Sequence, residues 1–526
     1  MKKVFYLVTA SLLMVSCLED KAIEAYNEDF VSVFGETDPL HTWKMVENQE
    51  VEVNLDKSSR VKVYVKVGSE YRLAADYENV SGNRTLSYDA PMGCEDIFVT
   101  VDGVPYQGVN SRNGNQTFES PTLSNEAVYK TFTYGEINTF HNDGVTLPEK
   151  NDNREKVTMG CKLFSEEGGW YEFYPVYWAG TFHHGYGLYY YTPNDNNVIK
   201  IDSIPFFTDH KAGGLIQRID GNGAGDWVDV TADYAYDYFF TQGNKYDNNK
   251  VVLQSKGYKF YLPPGTIFGF YVDITHLTPN DIGRFHSDPE FNKNKAVSNF
   301  AFLHKGDNAE GSYITIEDEN DNDYNDFIFM LVGEHKHLTE DPLKYIYAVE
   351  DLGGTNDFDF NDIVFSVSHV SGKENATVQP LAAGGIYPAY IHFNDKPYGG
   401  EIHKKFGVAS NVMVNTASGT TKNSMLKADP FLVKVGTTWS HAAYGESGNG
   451  FSVKIEIPNK VDKVVSTCNP GSGDAPQMLV LSENWLWPTE RTSIADAYQG
   501  FGEWGANYTK KTWVNNPTQG LVVNWK

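Results

Sequence analysis

The chain is poor in cysteine, in positive charge and in long apolar runs, and each shortage removes a class of protein. Four cysteines are spread over 526 residues. Cys94, Cys161 and Cys468 lie far apart, allow at most one disulfide and have no metal-ligand spacing, so they read as buried free thiols. Lys and Arg number 43 against 69 Asp and Glu, a formal charge of −26. That balance argues against nucleic acid, whose phosphates call for basic patches. It suits a soluble extracellular protein bathed in cations. Beyond the first residues no segment approaches 18 uninterrupted apolar positions, so no later stretch reads as membrane-spanning. Neither a zincin His-Glu-x-x-His, a Gly-x-Ser-x-Gly elbow, a phosphate loop nor a dinucleotide fingerprint occurs. No catalytic residue is assigned and the chain is read as a non-enzyme. A surface hydrolase is the alternative, because a glycosidase, for one, needs only two carboxylates at the right separation and leaves no motif.

What is present begins with "MKKVFYLVTASLLMVSC". Lys2 and Lys3 precede about a dozen apolar residues, the shape of a secretory signal over residues 1–16. Met14-Val15-Ser16-Cys17 resembles a bacterial lipobox, with Met where Leu is more usual. The resemblance implies cleavage before Cys17 and its lipidation, which would anchor the mature chain in a membrane. Glu19-Asp20 resembles a tag that sends lipoproteins to the outer cell surface.

Aromatics reach 14%, with 33 Tyr and 31 Phe, while Ala- and Leu-rich amphipathic runs and coiled-coil heptads are scarce. Tyr, Phe, Val and Thr favour pleated, half-buried surfaces. The predicted class is therefore mainly β, several β-sandwich-like domains with minor short helices. Residues 17–42 read as the lipidated Cys and a polar tether, with a short helix in "AIEAYNEDFVSVFG". A small β domain follows over 43–115, where "VEVNL" and "RVKVYVKV" alternate and "DIFVTVDG" ends on an Asp-Gly turn. Polar residues 116–157 read as a linker. An aromatic-rich β domain spans 158–333 and a C-terminal β domain 341–526. Near the end, "SIADAYQGFGEW" predicts a short helix capped by Ser493.

The chain says one thing twice. "IEDENDNDYNDFIF" and "VEDLGGTNDFDFNDIVF" both run Glu-Asp, polar loop, Asp, aromatic, Asn, Asp and an apolar strand. Glu317, Asp318, Asp323, Asn325 and Asp326 match Glu350, Asp351, Asp359, Asn361 and Asp362. Asp and Asn turn the backbone and offer hard oxygens, and Ca2+ takes six to eight such oxygens in a tolerant geometry. Neither copy is an EF-hand, since counting from Asp321 puts Asp326 where Gly is needed and Val332 where Glu is needed. Both stretches are read as metal sites, the alternative being Asx-rich turns whose carboxylates face water.

"EDLGGTNDFDFNDIVF" resembles the signature of LruC-domain surface lipoproteins, mostly of Bacteroidota, and of a related calcium-associated extracellular domain. The likeness continues in "VQPLAAGGIYPAYIHFND", "GEIHKKFGV" and "APQMLVLSENWLWPTERTSIADAYQGFGEW". It implies a secreted or surface β-rich lipoprotein with Ca2+ sites, and no established reaction. The first copy lacks the Gly-Gly of the second.

Two further sites are candidates. "DGNGAGDWVD" sets Asp220, Asn222, Asp226 and Asp229 in a Gly-rich loop, a weaker cation site or a plain hairpin turn. Trp170, Tyr177, Trp178 and Tyr186, in the most aromatic block, form either a ligand platform or the two faces of buried strands. Together these readings predict an outer-membrane lipoprotein, exposed at the cell surface, with structural Ca2+. It would act in adhesion or in capture of an extracellular glycan, peptide or protein. The alternative is an accessory lipoprotein of a SusC/SusD-type outer-membrane nutrient uptake complex, with a transporter as partner.

Overall fold

The computed structural model describes residues 23–68, 70–106, 120–133, 157–159, 162–178, 183–192, 200–207, 216–220, 223–228, 252–275, 283–292, 300–304, 312–316, 327–350, 357–443, 450–458, 461–467 and 472–525. The fold is mainly β, with four sheets and a few short helices. Among the described residues no helix is long and apolar enough to cross a membrane. Two compact units form. One takes the described residues of Met1–Val65, Leu73–Asp96 and Asp341–Lys526, the other those of Lys66–Arg72 and Ile97–Glu340.

In the first unit a five-stranded sheet runs Phe431–Lys434, Asn375–Ala382, Ile363–Ser368, Lys344–Val349, Met478–Ser482. A four-stranded sheet runs Lys396–Glu401, Ala389–Phe393, Phe451–Ile455, Lys463–Ser466. All seven of their pairings are antiparallel. Residues 345–349 are buried without a break, as expected of a central strand covered on both faces. Alternation along the strand sorts its side chains into two cores. Tyr347 stacks on Phe365 at 5.1 Å and meets Phe451 of the four-stranded sheet at 5.6 Å, which makes the pair a sandwich. Ile346 and Ala348 face the other way, into a core with Val364, Leu479, Leu481 and the C-terminal Trp485, Trp487, Trp504 and Trp513.

The helix at 23–34 joins that second core through Tyr26 and Phe30, four residues apart on one face. Tyr26 donates its hydroxyl to the Pro476 carbonyl at 2.7 Å. The stretch from residue 23, expected to be tether with a short helix, thus packs on the outer face of the five-stranded sheet. Its Tyr-x3-Phe-x3-Phe spacing was the signal for that. Strands Val46–Val67 and Glu70–Pro91 belong in their larger part with this unit as well. The Met45 amide donates to Val480, the Asp76 amide to Ser371, and buried Asp89 accepts from the His441 amide at 2.8 Å. Period-2 alternation identified these strands; it carries no information about which distant segment they join. Ser493 caps the helix Ile494–Ala497, accepting from the Ala495 amide.

The second unit contains two further sets of paired strands. Its aromatic strand Gly169–Trp178 lies between Val252–Leu262 and Phe327–Val332. Phe173 stacks on Phe329 at 4.6 Å beside it and on Phe270 of the other set at 5.0 Å. Tyr186 meets Phe329 at 4.7 Å from that second set. Within 116–157, read from its polarity as a linker, Thr122–Leu123 and Val128–Thr133 pair with Val252–Leu262. The predicted Asp-Gly turn forms: Asp102 and Gly103 both take positive φ and close a hairpin with Val101 opposite Val104.

Candidate metal centre

The second acidic motif connects two neighbouring strands of the first unit's five-stranded sheet. Val349 pairs with Ile363, so Glu350 and Asp362 are the next residues on each strand as the chains leave the sheet. Between them, residues 357–361 return in an unusual conformation. Phe358 and Phe360 both have φ of 52°, a left-handed region that bulky side chains rarely adopt. Such residues cost about 1–3 kcal/mol each. Both rings are buried, Phe358 among Tyr26, Phe30 and Phe34 at 5.3–5.5 Å and Phe360 beside Phe501 at 6.2 Å. Burying a Phe contributes about 1.5–3 kcal/mol, so packing offsets the backbone strain. With the Phe residues committed to the core, the intervening Asp residues converge with Glu350. Carboxylate oxygens of Glu350, Asp357 and Asp359 lie within 4.8 Å of one another. This group could hold a metal ion.

The surroundings orient the three acids without neutralising them. The Phe360 amide donates to Glu350 Oε2 at 3.3 Å. The Asn361 and Arg491 amides donate to Asp359 Oδ1 and Oδ2 at 3.1 and 2.9 Å. Glu350 is 1% and Asp359 2% exposed, while Asp357 is half-buried. Burial raises the Glu350 carboxyl well above the ordinary range, and Asp362, Asp359 and Asp357 raise it further. Burial and then the Asp357 charge push Asp359 up to about 8, against the pull of its two amides. Asp357 is also raised by burial, with Arg491 opposing. The charges that raise Glu350 are those of Asp362, Asp359 and Asp357, while Arg491 acts on Asp357. Such a cluster must take up protons or a cation.

Asn361 is 1% exposed and works as a brace. Its amide donates to the Pro488 carbonyl at 3.1 Å and its backbone carbonyl accepts from Gly384 at 3.0 Å. A Cβ at Gly384 would stand 2.2 Å from Asn361 Oδ1, so only glycine lets this brace seat. The Gly385 amide donates to the Asp362 carbonyl, and the Gly385 carbonyl accepts from buried His403, whose other nitrogen meets Glu401 at 2.7 Å.

Of the residues expected to bind metal, Glu350 and Asp359 are therefore in the group. Asn361 positions the loop, and Asp362 acts on Glu350 through charge. Asp357 was missed, although a signal existed: both copies read Asp-x-Asp-aromatic-Asn-Asp, at Asp321 and at Asp357. Asp351 lies outside the described residues. So do Glu317, Asp318, Asp323, Asn325 and Asp326, although Ile316 and Phe327 on either side of them pair directly. The connection at 317–326 thus joins adjacent antiparallel strands, as the second copy does.

Asn222, Asp229, Cys17, Cys161 and Cys468 are likewise outside the described residues. Asp220 and Asp226 sit on strands Ile216–Asp220 and Gly223–Val228, an antiparallel hairpin with Asp220 opposite Gly223. Their side chains, and that of Trp178, are outside the described set. Cys94 is a half-buried free thiol. Tyr177 and Tyr186 are each 2% exposed and belong to the aromatic core, so neither presents a ring face to a ligand. Tyr186 lies on His183–Thr192 and Tyr177 on Gly169–Trp178. Trp170, on the same strand, is 53% exposed.

A scan against protein-family models and a search of curated proteins returned no match to this chain.

Proposed function

We propose that the chain is a cell-surface lipoprotein whose acidic loop at 350–362 holds Ca2+, and that the ion orders a surface used in adhesion or in capture of an extracellular ligand. The observation that carries the cation reading is the convergence of Glu350, Asp357 and Asp359, with Asp362 adding to the charge that acts on Glu350. The donors are all carboxylate oxygens, the hard set that suits Ca2+. Oxygens sharing one Ca2+ stand at most about 5 Å apart, twice the ~2.4 Å metal–oxygen distance, and the 4.8 Å limit here meets that condition. The ion's role is structural, because the Asp residues that bind it alternate with the Phe residues that pack the core. Anchoring and surface exposure rest on the leader ending in Cys17 and on the likeness of "EDLGGTNDFDFNDIVF" and the segments after it to surface lipoproteins.

The test is calcium titration of the mature chain beside an Asp359→Asn variant, with melting curves in calcium and in chelator. Saturable binding in the parent, absent in the variant, is the expected result. In chelator at pH 8 the variant melts higher than the parent, because Asn removes a buried charge that has lost its partner. No calcium effect on either protein at millimolar concentration would sink the cation reading.

A further inference from the structure

Trp170 is an exposed indole on an otherwise well-packed sheet, and its neighbours suggest a purpose. It pairs across strands with Tyr261, which pairs in turn with Thr122. Cross-strand partners project to the same face, so Trp170, Tyr261 and Thr122 form a row across three strands. The indole and phenol rings are 5.6 Å apart. One step along, Glu172 pairs with Lys259, a parallel polar row on the same face. Lys259 Nζ lies 5.3 Å over the indole and is held by Glu126 at 2.6 Å. Glu172 accepts from the Tyr174 hydroxyl at 2.6 Å. The opposite face of these strands is core, where Tyr171 stacks on Phe260. The platform is therefore backed by packed aromatics. The turn beside it is fixed too, since a Cβ at Gly168, with φ of 71°, would strike Pro264 at 2.5 Å.

We infer that Trp170 and Tyr261, bordered by Glu172, Lys259, Glu126 and Thr122, form a binding platform for a neutral glycan chain. Two rings side by side match the apolar face of a pyranose, and the polar row lies where ring hydroxyls would seek donors and acceptors. Size decides against a protein partner. A stable protein interface needs about 1,000 Å2 or more, and two rings ringed by charges offer a small fraction of that. Charge decides against a polyanionic glycan, which a chain of net charge −26 repels. The inference rests on the ligand-capture reading.

The experiment is affinity electrophoresis of the full mature chain through gels containing β-glucan, xylan, mannan, arabinogalactan, polygalacturonate or gelatin. The parent, Trp170→Ala and Trp170→Tyr are run side by side, with melting curves to confirm folding. Retardation by at least one neutral polysaccharide is expected. It weakens at least tenfold in Trp170→Ala and recovers in part in Trp170→Tyr. Retardation by none of the neutral polysaccharides, by polygalacturonate alone, or equally in Trp170→Ala overturns the platform. Retardation by gelatin that Trp170→Ala leaves unchanged overturns the platform while leaving ligand capture intact.

Discussion

The acidic loop makes a quantitative demand on protons. In the absence of a cation Asp359 titrates at about 8 rather than at its ordinary 3.8, and Glu350 lies well above its ordinary 4.5. Asp359 is therefore largely protonated at pH 7 in the cation-free fold, and burial favours the protonated form of Glu350 as well. A cation requires the ionised forms, so its binding must expel protons at that pH. Linkage fixes the sign for stability. The folded pKa is raised, so the cation-free protein is favoured below pH 4 and loses stability as pH rises through 8. For Asp359 alone the change is worth at most about 6 kcal/mol, at ~1.4 kcal/mol for each tenfold change in proton affinity. Backbone relaxation or water entry at the half-buried Asp357 would reduce it. Calcium binding measured calorimetrically at pH 7 in Tris and in PIPES, whose ionisation enthalpies differ, reads the proton count directly. Melting curves between pH 5 and 8 should fall with pH in chelator and stay level, or rise, in calcium. Identical heats in both buffers together with a flat curve in chelator would refute the argument. Glu350 and Asp359 would then be ionised in the free protein and stabilised by something other than a cation.

Two substitutions test how the loop is held. Phe358→Ala empties a site among Tyr26, Phe30 and Phe34 and should cost about 3–5 kcal/mol, read by chemical denaturation, with calcium affinity falling alongside. Gly384→Ala places a methyl 2.2 Å from Asn361 Oδ1. It should cost about 1–3 kcal/mol and weaken calcium binding without touching a carboxylate, which parallel melting and titration would show.

Much of the fold was legible because β alternation and turn chemistry are local. The strand that holds "VEVNL" and "RVKVYVKV", the Asp-Gly hairpin at 102–103 and the Ser493 cap each follow from a few adjacent residues. The assembly of segments was less legible. Nothing local in residues 46–65 specifies a partner some 400 residues later, and the amide contacts of Met45 and Asp76 are made by backbone that any sequence would supply. The same limit explains the site. The repeat drew the eye to the positions shared by both copies under one alignment, and so to Asp362 and Asn361. Whether an acid points at Glu350 depends on the left-handed turns at Phe358 and Phe360, which phenylalanine gives no reason to expect. The aromatic block shows the converse case. Tyr177 and Trp170 lie on one strand with similar chemistry, and only the sheet's neighbours decide that one is core and the other faces solvent.

The alternation Asp357-Phe358-Asp359-Phe360 is what binds metal chemistry to folding. A loop that presented carboxylates from flexible turns could bind calcium and leave the rest of the unit indifferent. Here Asp359 sits between Phe358 and Phe360 and Asp357 beside Phe358, and those rings pack on the helix at 23–34 and on the C-terminal aromatic cluster. Repulsion among the acids therefore acts on the same backbone that seats Phe358 and Phe360. Relieving it with a cation stabilises the left-handed turns, and through them the contacts of Tyr26, Phe30 and Phe34. The N-terminal helix follows directly after the segment expected to carry the lipid anchor. An ion in this loop would thus steady the packing of the helix nearest the segment by which the protein is proposed to be held at a membrane.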